Sequence, residues 1–367
     1  MAGVNTPYLT IDLDKIEHNA RTIVDLCNKY GIAVTGVTKG VCGHPEIAGA
    51  MLRGGVTSIA DSRLKNIQRL KNAGIDTDFI LLRVPPLSAV EAVVEAVDFS
   101  LNAELAVLEG LSAAAIRAGK IHDVMLMVDL GDLREGIWPD DMMAFVSQAI
   151  NFNGICIKGI GTNLACFGGV VPSVENMNQL ARLADEIEQR FAITLEWVSG
   201  INSSGLEMIA SGKMPQRINH ARIGEAILLG RETIHRKPWP GTVQDAFVLH
   251  AEIVELKKKP SLPVGERSED AFGELVEYED RGNILRALIN VGREDIDIQG
   301  ITPMDSRIDI LGGSSGYLVL DVSAMEDTIA VGDELSFTLN YSALLTAMTS
   351  EYVTKHALKS DVDSTEK

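Results

Sequence analysis

The chain has 367 residues, of which 46% are hydrophobic and 5% aromatic, and its formal net charge is -18 at pH 7. A chain of this length can bury one large core and a second, smaller domain. Because so acidic a surface repels phosphate backbones and anionic lipids, neither nucleic acid nor a membrane is an expected partner.

The four cysteines, Cys27, Cys42, Cys156 and Cys166, form no C-x-x-C pair and have no zinc-ligand spacing. We therefore expect free thiols in a reducing compartment and no metal site. Residues 1–12 lack the basic and apolar segments of a signal peptide, and no apolar run is long enough to span a bilayer. These features predict a cytoplasmic protein.

The first part of the chain alternates apolar runs with amphipathic segments. A short strand at 8–12 and a helix at 13–30 precede the alternation. Strands are predicted at 32–38, 56–60, 79–84, 97–102, 124–129, 156–162, 195–199 and 221–229. Helices are predicted between them at 44–53, 62–72, 88–95, 104–118, 139–150, 174–191 and 204–211. This α/β pattern is typical of a (β/α)8 TIM barrel. A doubly wound open sheet is the rival, but no G-x-G-x-x-G fingerprint follows the first strand.

The pattern changes after Gly230 to strand-like runs with no long helix. These runs lie at 247–254, 285–291, 307–311, 317–322 and 334–340. We therefore predict a barrel at 13–231, a mainly β C-terminal domain formed by 1–12 with 232–356, and a frayed tail at 357–367. The run Lys257 to Lys259, followed by Pro260, is interpreted as a solvated loop.

Lys39 follows the first predicted barrel strand, in Val37-Thr38-Lys39-Gly40. Its ammonium group would leave the core at the carboxyl end of that strand, where barrel enzymes place catalytic groups. One interpretation is an ordinary strand-end lysine that extends into water. The other is an amine that bonds covalently to pyridoxal 5'-phosphate, which requires a partly desolvated lysine beside a phosphate site.

Candidate anion-binding residues follow the seventh and eighth strands. Asn202 and Ser203 precede a helix, where they either contact a phosphate or simply cap the helix. Arg222 lies within a strand pattern and is a candidate ligand contact or a partner in a structural ion pair. Gly224, followed by Glu225, would let backbone amides approach a phosphate closely.

Three further residues are candidates for contact with a cofactor. Arg134 lies in the loop after the fifth strand, and its alternative is a surface ion pair with Asp132 or Glu135. Asn163 follows the sixth strand and either packs over a flat ring or is an ordinary loop asparagine. Tyr341, late in the chain, presents a phenol or is a half-buried strand residue.

Together these motifs resemble the alanine racemase-like, fold-type III PLP enzymes, most closely their ornithine racemase branch. The resemblance covers nearly the whole chain. It implies that Lys39 forms the Schiff base with pyridoxal phosphate and that Arg222 contacts the pyridine nitrogen. It also implies that Arg134 orients the cofactor and the substrate carboxylate. A head-to-tail homodimer is expected from the same resemblance.

The remaining cofactor contacts are also implied by the resemblance. Asn163 falls where alanine racemases carry a histidine against the cofactor ring. The other contacts lie near the phosphate: Asn202, Ser203, Gly224, Glu225 and Tyr341.

The chain departs from alanine racemases where their second acid/base tyrosine lies. The corresponding segment, Asp270 to Gly273, carries Phe272, which cannot transfer a proton. Racemisation requires an acid/base group on each face of the reacting carbon, so the second group must come from elsewhere. Asp270 and Ser315 are our first candidates, and two neighbours of Ser315 are further ones: Ser314 and Tyr317.

The function predicted from the sequence is PLP-dependent racemisation of a free amino acid, with Lys39 moving the α-proton on one face. A basic substrate such as ornithine is expected, with Asp270 as first choice for its distal ammonium group. The alternatives are another fold-type III reaction, such as decarboxylation or elimination, and a PLP carrier without turnover. Because carriers of this type lack a β domain, the segment after Glu232 counts against the last alternative.

Overall fold

The computed structural model describes residues 6–359. The chain divides into two compact units, one spanning Leu13–Gln244 and the other combining the chain up to Asp12 with the chain from Asp245 onward. Residues 232–244 thus belong with the first unit, although the sequence pattern already changes at 231. No helix among residues 6–359 has the length and apolar character needed to cross a bilayer.

The first unit contains a closed barrel of eight parallel strands, so the predicted (β/α)8 architecture is confirmed. Strands are numbered along the chain, and β1 (Tyr8–Asp12) belongs to the second unit. The barrel strands are β2 (Ala33–Val37), β3 (Ser58–Asp61), β4 (Phe79–Leu81), β5 (Phe99–Asn102), β6 (His122–Val128), β7 (Ile155–Thr162), β8 (Trp197–Ile201) and β9 (His220–Ile223). The barrel closes where β9 pairs with β2, with His220 beside Ala33.

One helix precedes β2, and a helix follows each of the eight barrel strands. They are α1 (Leu13–Asn28), α2 (Pro45–Arg53), α3 (Leu64–Asn72), α4 (Val90–Ala96), α5 (Leu105–Arg117), α6 (Met142–Ala149), α7 (Val174–Phe191), α8 (Leu206–Ala210) and α9 (Glu225–Leu229). The predicted limits of α7 match the structure. Ser173 and Asn176 form a capping box that marks the start of the helix.

The prediction of one long eighth strand over 221–229 was wrong. Strand β9 ends at Ile223, and residues Glu225–Leu229 form helix α9. The run Ala226 to Leu229 is continuously apolar and fully buried, so its pattern fits a buried helix as well as a buried strand.

The barrel interior combines an apolar cluster with a layer of small polar groups. Val37, Ile80, Leu101 and Met127 belong to the buried cluster. In the polar layer, His220 hydrogen-bonds Thr35 (2.7 Å) and Ser199 (2.8 Å), and its ring stacks on Trp197. Similarly, His122 hydrogen-bonds Ser100 over 2.8 Å. The barrel is therefore filled by side chains and is not a pore.

The second unit is mainly β, as expected. Its further strands are β10 (Phe247–Pro260), β11 (Asn283–Ile289), β12 (Ile301–Pro303), β13 (Asp309–Gly313), β14 (Leu318–Asp321), β15 (Glu334–Leu339) and β16 (Thr354–Leu358). The order in the sheet is β12-β15-β10-β11-β14-β13, while β1 pairs antiparallel with β10 and parallel with β16.

Three predictions for this unit were wrong. Lys257 to Lys259 lie not in a loop but in β10, where they pair with β11, and Glu255 forms ion pairs with Lys257 and Lys259. The backbone pairing of β10 with β11 continues through all three lysines, so it determines their structure despite their charge. A helix that was not predicted, α10 (Tyr341–Thr349), follows β15 and is capped by Asn340. Residues 357 and 358 of the predicted tail are part of β16, whereas 360–367 lie outside the described residues.

Candidate active site

The barrel mouth, meaning the carboxyl ends of β2–β9 and the loops that follow them, carries the predicted site residues of the first unit. Lys39 begins a 3-10 turn directly after β2. The residue before it, Thr38, is fully buried and is held by its neighbouring strand: its N–H donates to Ala60 O (3.0 Å) and its Oγ1 donates to Asp61 Oδ2 (2.8 Å). The backbone that presents Lys39 is therefore fixed on the side of β3.

Asp61 is a fully buried carboxylate that the sequence did not single out. Besides Thr38, it accepts hydrogen bonds from Arg63 N (3.0 Å) and Asn66 Nδ2 (2.9 Å). Burial raises the pKa of Asp61, and these donors oppose the increase. Since all three of these partners donate to Asp61, the arrangement suits the ionised carboxylate.

The Lys39 amine lies in an environment that disfavours its charge. Water reaches the side chain, but the dense protein around it desolvates the ammonium, and this lowers the pKa of Lys39. The positive charge of Arg134 lowers the pKa further, while Glu135 opposes the decrease.

The guanidinium group of Arg134 contacts two side chains, Glu135 and Cys166. Nε and Nη2 each donate to one carboxylate oxygen of Glu135, and Nη1 lies 2.9 Å from Cys166 Sγ. Burial disfavours the guanidinium charge, but the pair with Glu135 keeps the pKa of Arg134 raised. The ion pair named as an alternative for Arg134 is thus present, and the same arginine acts electrostatically on Lys39.

The loop that carries Arg134 is closed at its base. Asp129 N donates to Ile137 O (3.0 Å), and Ile137 N donates to Met127 O (2.8 Å). Gly136 adopts φ +148°, and a Cβ there would lie 2.4 Å from Asp129 N, so only glycine fits this return of the chain.

Asp132 ties this loop to the one after β7. Its carboxylate accepts from Phe167 N (2.9 Å), Val170 N (3.1 Å) and Cys166 N (3.3 Å). Asp132 is buried, which alone would raise its pKa, but these amides hold the pKa below its usual range. The position of Cys166 beside Arg134 therefore depends on a loop that Asp132 organises.

Arg222 is a buried cation at the end of β9. Its Nη2 donates to Thr162 O (2.6 Å), and its Nη1 donates to Ser199 O (3.3 Å) and Ser199 Oγ. Burial lowers the pKa of Arg222 to about 10, and Glu135 opposes that decrease. No carboxylate is hydrogen-bonded to Arg222 among the described residues, so the structural ion pair considered for it is not formed there.

The loops after β7 and β8 contain two buried polar groups without a protein partner: Asn163 Nδ2 and Ser204 Oγ. Asn202 links these loops, since its Nδ2 donates to Leu164 O (2.9 Å) and its Oδ1 accepts from Ser204 N (2.8 Å). Ser203 Oγ accepts from Ala226 N over 3.1 Å. A buried donor without a partner indicates a position where a polar ligand can bind.

Gly224 and Glu225 link β9 to α9. A Cβ on Gly224 would lie 3.1 Å from Val37 Cβ and from Val37 O, so glycine allows this turn to approach the end of β2. The Glu225 carboxylate pairs with Arg236; burial raises its pKa, and Arg236 opposes the increase.

The other predicted site residues lie in the second unit. Asp270 Oδ1 accepts from Phe272 N (2.8 Å) and Glu274 N (2.9 Å), and these bonds lower the pKa of Asp270. Ser315 is exposed, and its carbonyl accepts from Glu294 N. Tyr341 is the first residue of α10.

Sequence reasoning missed three residues of the barrel mouth, Asp61, Cys166 and Ser204, and it named Glu135 only as a possible ion-pair partner of Arg134. Ser204 directly follows the predicted Asn202-Ser203 pair, so a search for a third hydroxyl or amide in that loop finds it. The contact of Cys166 with Arg134 requires the loops after β6 and β7 to meet, which no local pattern reports. Among residues 6–359, no group of three or more His, Cys, Asp or Glu side chains is arranged to hold a metal ion.

The buried Arg222 and the two buried polar groups without a protein partner suit an anionic, polar ligand near Lys39. Comparison with known proteins identifies the family. The model of the "Alanine racemase, N-terminal domain" matches residues 11–232. The chain belongs to the alanine racemase family. The expectation of an enzyme related to amino-acid racemases is thereby confirmed.

Two relatives match almost end to end. The chain is 43% identical to the ornithine racemase of Acetoanaerobium sticklandii over 353 residues, covering 96% of this chain and 99% of that protein. It is 37% identical to the lysine racemase of Thermotoga maritima over 349 residues, covering 95% and 98%.

Solved structures share the fold at low sequence identity. An alanine racemase from Bacillus anthracis superposes with a TM-score of 0.76 at 16% identity, covering 98% of this chain and 97% of that one. A D-threo-3-hydroxyaspartate dehydratase from Delftia sp. gives 0.74 at 13%, covering 98% and 95%. Racemases and a dehydratase therefore share this architecture, so the fold alone does not determine the reaction.

Proposed function

We propose that the protein racemises a basic amino acid such as ornithine or lysine, using pyridoxal 5'-phosphate held at the barrel mouth. The observation that carries the proposal is the position of Lys39 in the turn after β2, at the barrel mouth, where Arg134 and Arg222 act electrostatically on its amine. The names of the ornithine and lysine racemase relatives support the substrate class.

The residues present fit the cofactor. Ser204 Oγ and Asn163 Nδ2 are buried without a protein partner, and Arg222 is a buried cation with no hydrogen-bonded carboxylate among the described residues. In the proposal, Asn202, Ser203, Gly224 and Glu225 would surround the phosphate, and Tyr341 remains a proposed phosphate contact. Asn163 would lie against the ring, and Arg222 would donate to the ring nitrogen. When bound at Lys39, pyridoxal phosphate withdraws electrons from the α-carbon and makes its hydrogen acidic.

The side chains then divide the remaining work. Lys39 Nζ moves the α-proton on one face, which its lowered pKa favours because a larger fraction of the amine is unprotonated near neutral pH. The fork of Arg134 binds the substrate carboxylate. Ser315 and Asp270 remain the proposed acid/base groups for the opposite face, in a head-to-tail homodimer. We propose a cytoplasmic location, where the four free thiols would persist.

A substrate panel tests the proposal. The purified protein with pyridoxal phosphate is incubated with L-ornithine, L-lysine, L-arginine and L-alanine, and the D-isomers are measured by chiral chromatography. We expect D-ornithine or D-lysine to form fastest. In deuterium oxide, both enantiomers should gain deuterium at the α-carbon without release of carbon dioxide.

The control is Lys39→Ala, which should abolish both turnover and the near-visible absorption band acquired with pyridoxal phosphate. Activity on alanine alone would contradict the substrate class. Loss of carbon dioxide or of a side-chain group would favour decarboxylation or elimination. Light scattering of the purified protein tests the dimer.

A further inference from the structure

The Arg134–Glu135 ion pair is unusual because the two partners are neighbours in sequence and yet both carboxylate oxygens are used. Nε and Nη2 of Arg134 each meet one oxygen of Glu135, and the side chains are 34% and 24% exposed. This is the fork geometry in which arginine binds a free carboxylate. Glu135 therefore occupies on Arg134 the place that the α-carboxylate of an amino acid would take.

Glu135 sits on a loop whose base is fixed while its side chain is not buried. Gly136 and the Ile137 hydrogen bonds hold the chain immediately after Glu135. Rotation of side-chain torsions alone can thus move the carboxylate off Arg134. The charge of Glu135 also acts on Lys39 and on Arg222. Its carboxylate accordingly lies within the cationic centre of the mouth.

The charge balance makes an anionic partner necessary for a basic substrate. Arg134 and Arg222 are positively charged and repel the side-chain ammonium group of a basic substrate, and the repulsion is stronger in a partly desolvated site than in water. Two carboxylates, Glu135 and Glu225, interact electrostatically with Lys39. Glu225 is held by Arg236, whereas the partner of Glu135 is Arg134, the arginine that the substrate itself would engage.

Resting on the proposed function, we propose that Glu135 determines specificity by exchanging partners: the substrate's α-carboxylate replaces Glu135 on Arg134, and Glu135 then pairs with the side-chain ammonium. A basic amino acid restores the charge contact that Glu135 loses. A neutral amino acid does not, and it leaves a partly buried carboxylate without a partner, which is costly. Glu135 in this way favours basic substrates and discriminates against neutral ones.

The test compares L-ornithine with L-norleucine, which carries a methyl group where ornithine has its ammonium. For Glu135→Gln we expect kcat/KM on ornithine to fall about 10- to 100-fold, mainly through KM, as for loss of a charged hydrogen bond. On norleucine, kcat/KM should stay constant or rise, because Arg134 loses its competitor. Glu135→Asp, which keeps the charge, should retain part of the preference for ornithine.

Two matched variants complete the experiment. Glu91→Gln removes a carboxylate from an exposed ion pair with Arg117 on the outside of the barrel and should leave both substrates unaffected. An unchanged ratio between the substrates in both Glu135 variants, or a loss of preference in Asp270→Asn instead, would overturn the inference. If the wild type racemises no amino acid, the proposed function fails, and that result is distinct from an unchanged ratio in an active enzyme.

Discussion

Asp61 stabilises the end of β2 by bonds that only a carboxylate can accept. It is fully buried and accepts from Thr38 Oγ1, Arg63 N and Asn66 Nδ2. Asparagine in its place would present an N–H group to at least one of these donors. Because Thr38 precedes Lys39, a disturbance here shifts the backbone that presents the amine. Asp61 is therefore a positioning residue for Lys39.

We expect Asp61→Asn to lower the free energy of unfolding by about 1–3 kcal/mol, the usual cost of an unsatisfied buried donor. Urea denaturation measures the change. Asp78→Asn, at an exposed position near β4, is the matched control and should differ little from the wild type. Equal stability of the two variants would show that the Asp61 contacts do not stabilise the strand end.

At the scale of elements, the loop after β7 is organised by a single carboxylate from the loop after β6. Asp132 accepts from three amides of residues 166–170, and Gly168 N donates to Asp132 O (3.0 Å). Phe167 lies at the tip and is 77% exposed. The order of this loop therefore comes from Asp132 rather than from a local core.

We expect Asp132→Asn to open this loop, because a neutral amide retains only one acceptor for the three N–H groups. A loss of about 1–2 kcal/mol raises the open population roughly 5- to 30-fold. Chymotrypsin cleavage after Phe167, followed by mass spectrometry, measures that population. Asp140→Asn, at an exposed position in the same unit, should cleave at the wild-type rate. An unchanged rate in Asp132→Asn would contradict the role given to Asp132.

Elements with a clear local sequence pattern were predictable, and elements whose structure depends on pairing with other strands or on burial were not. Helix α7 carries its capping box and an amphipathic pattern, so its limits follow from the sequence. Helix α9 and the lysines of β10 were misassigned because apolar runs fit either structure and because strand pairing overrides local charge. In the site, Lys39, Arg134 and Arg222 were found from strand-end positions. Glu135 was named only as a possible ion-pair partner of Arg134, and its bidentate contact was seen only in the structure.

For the whole molecule, buried histidines connect stability to pH. Burial lowers the pKa of His122 to about 4 and that of His220 to about 3, from an ordinary value of 6.5. Below pH 6.5 the unfolded chain binds protons that the folded chain does not. The free energy of unfolding therefore falls as the pH drops through this window, by about 1.4 kcal/mol per pH unit for each histidine.

We expect His122→Gln to make the pH dependence of stability shallower by about 1.4 kcal/mol per pH unit between pH 6 and roughly 4.5. Urea unfolding at several pH values gives the slope for each protein. Carboxylates also contribute to the pH dependence, and a raised pKa such as that of Asp61 changes stability in the opposite direction. Because both proteins contain the same carboxylates, their contribution cancels in the difference between the two slopes. His235→Gln, at an exposed histidine, is the control, and equal slopes in wild type and His122→Gln would refute the linkage.

The sequence by itself determined the barrel, the β unit and the strand-end position of Lys39, because hydrophobic periodicity and turn residues are local properties of a chain. It also determined the resemblance that the family match later confirmed. Only the tertiary structure decided which charges share the barrel mouth. The contact of Arg134 with Cys166, the hydrogen bonds from the amides of residues 166–170 to Asp132 and the contact of Thr38 with Asp61 each depend on strand pairing or on two loops meeting. Electrostatic interactions depend on distance in space, and separation along the chain does not specify that distance.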